Sequence, residues 1–143
     1  MIDVLSLREL DINKYDEVWL IVRSAKNCYK LLANKNVKQV AELSPSFNLF
    51  KKYLDLKNKG LWNYQAFLDI YVPEFLREAK LEPKFADRLL ELKAHQDKKY
   101  ALVCFCGDER KCHRSIVAAL CYINGISVNT KYDINDYIKS YWK

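Results

Sequence analysis

Glycine and proline are scarce in this chain, at three residues each among 143. An all-β fold rich in tight turns needs many more of both, which argues against that class. Long apolar runs are missing as well. No stretch approaches the ~20 residues that a membrane-spanning helix requires. Met1-Ile2-Asp3-Val4 lacks the basic and apolar regions of a signal peptide. No repeat, low-complexity tract or linker interrupts the chain. These absences predict a cytoplasmic protein with no membrane association, built as a single α/β domain over residues 1–143.

What is present is ordinary in amount and uneven in distribution. Half the residues are hydrophobic and 29% are charged, which suits a globular fold. Five cysteines, an odd number without a secretion signal, read as reduced thiols rather than a disulfide framework. The net charge is +6. It favours anionic partners, although lysines spread along a chain also serve as a solvated surface.

The pattern alternates strands and helices. Glu17 to Val22 is bulky and β-branched and predicts a buried strand, with Arg23 at its carboxyl end. Val37 to Leu43 predicts a second, shorter strand. Ser44-Pro45-Ser46 follows, where proline disfavours helix before it and Ser46 can cap the helix after it. Phe47, Phe50 and Leu54 recur at helical spacing up to a break at Lys57-Asn58-Lys59-Gly60. Trp62 to Ala79 carries an aromatic stripe that Pro73 should kink or divide. Lys84 to Lys93 predicts another helix. Tyr100 to Cys106 predicts the clearest strand and Cys112 to Asn124 the clearest helix, stopped by Gly125. Ile126 to Val128 predicts a last strand, and Tyr132 to Lys143 a docked terminal helix. Strands separated by helices imply parallel crossovers. The expected fold is therefore a three-layer α/β domain with a small, mostly parallel sheet flanked by helices.

The chemistry gathers between Cys104 and Ser115. Cys112-His113-Arg114 opens a helix, where unpaired amides and the helix dipole favour a thiolate or a bound anion. Arg114 can clamp an anion in two-pronged fashion, and His113 can move a proton near neutral pH. Cys112 then serves as a nucleophile or as a small packing residue on the face it shares with Ser115 and Ile116. In a parallel sheet, Arg23 opens on the same edge and would face Arg114 across one crevice. Asp108 and Arg110 would stand at its rim.

Two other patterns are weaker. Cys104 and Arg110 have the Cys-x5-Arg spacing of a phosphatase loop, but Asp108 and Glu109 would place negative charge in the phosphate cradle. Cys104, Cys106, Cys112 and His113 are all metal-ligand types, yet the chain lacks a second pair at Cys-x2-Cys or His-x3-His spacing. No metal and no cofactor is therefore expected, and Cys104 and Cys106 read as core. His95 reads as a surface residue at a helix end.

Leu102 to Ser115, with its apolar strand, polar turn and Cys-His-Arg helix start, resembles the signature of the domain of unknown function 488 family of bacteria and viruses. Ile21-Val22-Arg23-Ser24 resembles that family's Val-Asp-Val-Arg-Ser strand end, with Val22 in the aspartate's place. Glu42 to Ser46, then Trp62, Phe67, Tyr71 and Glu74, resemble its Leu-Ala-Pro-Ser segment and following helix. The short outline suits a compact member, of the kind a phage or mobile element carries. The resemblance implies an α/β fold and a pocket formed by an arginine with Cys-His-Arg; it implies no reaction. The sequence thus points to a protein that binds or processes an anionic small molecule, a nucleotide or phosphorylated metabolite. Cys112, His113 and Arg114 would do the chemistry, and Arg23, Asp108, Arg110 and Ser115 would bind the ligand. The alternative is a non-catalytic basic protein that binds nucleic acid or a protein partner through its aromatic, lysine-rich surface.

Overall fold

The computed structural model describes residues 1–142, and the side chains of all of these except Asn27 and Glu109. Five strands pair in the order β3-β2-β4-β1-β5, every pair parallel. They are β1 (Ile2–Ser6), β2 (Glu17–Leu20), β3 (Val37–Gln39), β4 (Tyr100–Cys104) and β5 (Val128–Asn129). The helices are α1 (Tyr29–Leu32), α2 (Phe47–Asn58), α3 (Tyr64–Ala66), α4 (Val72–Leu81), α5 (Pro83–Ala94), α6 (His113–Ile123) and α7 (Asn135–Tyr141). They flank the sheet in the three-layer α/β arrangement that the alternating pattern implies.

β4 occupies the centre of the sheet and is buried along its whole length, as a near-continuous apolar run should be. Trp19 of β2 packs edge-on against Tyr100 at 5.4 Å between ring centroids. α6 carries a fully buried run from His113 to Cys121 and packs on β1, β4, α4 and α7. A helix apolar nearly all round needs such cover on several sides. Gly125, at φ 81°, ends it as the sequence suggests. The Ile126 N–H then reaches back to the Cys121 carbonyl at 2.9 Å.

Several boundaries differ from the sequence reading. Residues 2–6, read only as the chain's start, form a strand near the sheet centre, despite the polar Asp3 inside it. Tyr15 Oη donates to that carboxylate at 2.6 Å and Asn129 Nδ2 at 3.2 Å, which satisfies its charge beside the sheet. β3 stops at Gln39, where a single helical turn, Ala41–Leu43, takes over. The last strand lies at Val128–Asn129 rather than from Ile126. Pro73 does not divide its helix. α3 runs through a π-helical turn, Phe67–Tyr71, into α4, with the Val72 N–H donating to the Phe67 carbonyl five residues back. The wider turn accommodates a ring that would otherwise crowd the preceding carbonyls.

The connectivity creates an opening. From β2 the chain moves outward to β3, whereas from β4 it crosses beyond β1 to β5. The loops leaving β2 and β4 diverge, and a crevice remains between their carboxyl ends. No helix among the described residues is long and apolar enough to cross a membrane.

Candidate functional site

A cavity of about 750 Å³ occupies that crevice. Val22, Arg23 and Ser24 after β2 line one side, and residues 104–108 with Lys111, Cys112 and His113 line the other. Phe47, Phe50, Tyr53, Trp62 and Tyr71 supply an aromatic wall. Tyr53 and Trp62 meet edge-on at 4.8 Å, and Trp62 meets Tyr71 at 5.7 Å. Arg23, Lys57 and Lys111 contribute positive charge, and Asp108 is the one carboxylate among the described lining residues. A second cavity of about 480 Å³ shares Arg23 and lies against Ser46, Phe75 and Glu78.

The floor is built by the meeting of β4 and α6. β4 ends at Cys104, the chain makes a polar loop, and Cys112 precedes the first helical residue in extended conformation, φ −122° and ψ 143°. The helix therefore starts one residue later than the sequence suggests, and Cys112 folds back toward the strand end. Its S–H donates to Cys104 Sγ at 3.4 Å. His113 Nδ1 stands 3.8 Å from both sulfurs. The other ring nitrogen is 2.6 Å from the Ile21 carbonyl, which fixes the proton on Nε2 and leaves Nδ1 facing the thiols.

The hydrogen bonds divide the thiols. The Cys112 donor, aided by His113, holds Cys104 well below the ordinary thiol range although burial opposes it. The same donor draws Cys106 down to about 6. Cys112, whose single S–H is shared with these neighbouring sulfurs and which is itself buried, is pushed well up. Burial alone would lower His113, but the Cys104 charge and its hydrogen bonds outweigh it and raise the imidazole.

Of the residues singled out from sequence, Arg23, Asp108, Cys112 and His113 line one cavity, and Arg110, Arg114 and Ser115 do not. Arg23 is exposed and its Nε donates to the Pro45 carbonyl at 3.1 Å. Arg114 does not face it across the opening. Its side chain is 1% exposed and runs behind the loop, where Nη1 donates to the Cys106 carbonyl at 2.7 Å. Ser115 Oγ is turned back onto the Cys112 carbonyl at 2.8 Å. Arg110 is exposed, with its Nε 3.9 Å from Asp108, so the phosphatase-like spacing yields no cradle. His95 caps the end of α5 on the surface, as read.

The sequence reading weighed Cys104 and Cys106 as metal-ligand types and placed them in the core; both line the cavity, Cys104 buried and Cys106 half-buried. Their signal was position: both follow the central strand's apolar run, at the edge where open α/β sheets hold ligands. The aromatic wall was visible as a helical stripe, which reads mostly as core, and as part of an aromatic, lysine-rich surface, not as the side of a cavity.

The architecture is that of a parallel α/β protein with a cysteine–histidine floor at its topological switch point. The chain belongs to the DUF488 family, matching over residues 2–124 the model described as the active DUF488-N3 subclade. No curated protein and no solved structure matches it.

Proposed function

We propose that the cavity binds an anionic small molecule carrying a planar ring, a nucleotide or a similar phosphorylated compound, and that the cysteine–histidine floor acts on it. One observation carries this reading: aromatic walls, cationic rim and thiol–imidazole floor meet in a single cavity of ligand size. The rings of Phe47, Phe50, Tyr53 and Trp62 offer faces for stacking. Arg23, Lys57 and Lys111 offer donors for phosphate oxygens. Cys104, Cys112 and His113 lie beneath the bound ring or its substituents. Arg114 and Ser115 serve as positioning residues that hold the loop and the helix start, and Arg110 has no part in the site. The description of the matched family model as an active subclade supports chemistry at this floor. Five free thiols fit a reducing compartment such as the cytoplasm.

A thermal-shift panel of nucleoside mono-, di- and triphosphates and phosphorylated sugars tests the reading. A ligand that stabilises the chain should bind ~10-fold more weakly to Arg23→Ala, the loss of one charge-assisted contact. A flat panel at millimolar ligand rejects the proposal.

A second reading rests on the outer face of α2. Phe47, Phe50 and Leu54 of α2, with Leu61 and Tyr64 in the segment after it, are exposed, Phe47 at 59%, and Phe47 and Phe50 also border the cavity. Lys51, Lys52, Lys57 and Lys59 stand among them, and Lys51 Nζ lies 4.8 Å over the Phe47 ring. Such a surface suits single-stranded nucleic acid rather than catalysis. Oligonucleotide binding that falls steeply with salt and is unchanged by Arg23→Ala favours this reading over the first.

A further inference from the structure

We infer that Cys104, Cys112 and His113 form a three-ligand site for zinc, with its fourth position open to the cavity. The inference rests on distances and topology, and stands whatever the cavity binds. The three ligand atoms lie within 4.8 Å of one another, and all three residues are buried. A tetrahedral zinc with sulfur at about 2.3 Å and nitrogen at about 2.0 Å implies S···S edges near ~3.8 Å and S···N edges near ~3.5 Å. The corresponding separations here are 3.4 Å between sulfurs and 3.8 Å from each sulfur to Nδ1. The triangle is thus already a tetrahedral face to within a few tenths of an ångström. Replacing the S–H···S hydrogen bond by two metal–sulfur bonds requires only a small parting of the sulfurs.

The surroundings match as well. A ligating histidine ordinarily donates its far N–H to a carbonyl or carboxylate, which fixes the tautomer and aims the lone pair. His113 does so through Nε2 to the Ile21 carbonyl. The carbonyl belongs to the segment just after β2, so three separate parts of the fold converge on the site. Two sulfurs and one imidazole select zinc over magnesium or calcium, which favour oxygen. Because all three residues also line the cavity, a water or a ligand atom can reach the remaining position. Three protein ligands with one open position is the pattern of catalytic rather than purely structural zinc. Binding releases the thiol protons, and two thiolates balance the charge of the ion. The spacing rule misses such a site because Cys104 is delivered by a strand end and the other two by a helix start.

The test uses the full chain, kept reduced and stripped of metal, titrated with Co²⁺ and Zn²⁺. One equivalent of Co²⁺ should produce thiolate-to-metal charge-transfer absorption together with intense tetrahedral d–d bands, and Zn²⁺ should bleach both. Cys104→Ser and Cys112→Ser should each weaken Zn²⁺ binding by more than ~100-fold in competition with a chromophoric chelator. Cys28→Ser and Cys121→Ser, which are not members of the triangle, should bind like the parent chain. Absence of charge-transfer bands in the parent chain overturns the inference even if the variants fail to fold. So does an equal loss of affinity in the Cys28 or Cys121 variants. Neither readout depends on a nucleotide, so failure here is distinct from a flat ligand panel.

Discussion

His113 Nε2 and the Ile21 carbonyl are 2.6 Å apart, a hydrogen bond that joins the start of α6 to the segment leaving β2. It spans ninety-two positions of sequence and closes the floor of the cavity. His113 also lies 6.0 Å from the Phe75 ring, so its removal opens space between two helices and the sheet. His113→Ala is expected to cost ~2–4 kcal/mol, as a lost buried hydrogen bond and a cavity combine. Chemical denaturation measures it. A change below ~0.5 kcal/mol would show that the contact is dispensable.

Cys106 should be the thiol most readily modified at mildly acidic pH. It is half-buried and lines the cavity, and the Cys112 hydrogen bond draws it to about 6. In metal-free protein, iodoacetamide labelling mapped by mass spectrometry should show its midpoint near that value, against ~8.5 for a free thiol. Cys112→Ala should move the midpoint upward. Because the folded value is the lower one, this thiolate adds stability that grows as pH rises from about 6 toward the free-thiol value and is lost as pH falls through about 6.

Arg114 and Arg23 should separate cleanly. Arg114 is buried with Nη1 on the Cys106 carbonyl, whereas Arg23 is exposed. Arg114→Ala should destabilise the fold by ~2–4 kcal/mol, as a lost charged hydrogen bond and a cavity combine. Arg23→Ala should stay within ~1 kcal/mol, because an exposed side chain with one part-buried hydrogen bond to the Pro45 carbonyl is lost. Melting curves of the two variants decide the matter, and equal shifts would contradict the placement.

The π-helical turn before Pro73 offers a test of cause. If the proline imposes it, Pro73→Ala should permit a regular helix from Tyr64 to Leu81 and shift Tyr71, which lines the cavity wall. A small gain in stability, up to ~1 kcal/mol, with weaker ligand binding is expected. Unchanged binding would separate the turn from the site.

Much of this fold could be read from residue pattern alone. β2, β4, α5 and α6 announce themselves by apolar runs and periodicity, and Gly125 marks its helix end. β1 escaped because five residues with an aspartate in the middle carry too little pattern, and only pairing with β4 makes them a strand. That Arg23 and Cys112 open on one cavity followed from parallel topology. The fate of Arg114 did not, since neighbours on a helix turn point in different directions and only packing decides which is buried. Cys104 was undervalued for the same reason: its partner across the loop is fixed by how α6 docks, and no spacing records that.

The order β3-β2-β4-β1-β5 has a consequence for biosynthesis. During translation β1 and β2 emerge early yet cannot pair with each other, because the place between them belongs to a strand encoded near residue 100. Until that strand leaves the ribosome, β2 can pair only with β3, and β1 has no partner on either side, because β5 emerges later still. β1 and the inner edge of β2 must wait for the segment that also brings Cys104 and the start of α6. Joining of β1 to β2 and formation of the cysteine–histidine floor thereby fall together late in synthesis.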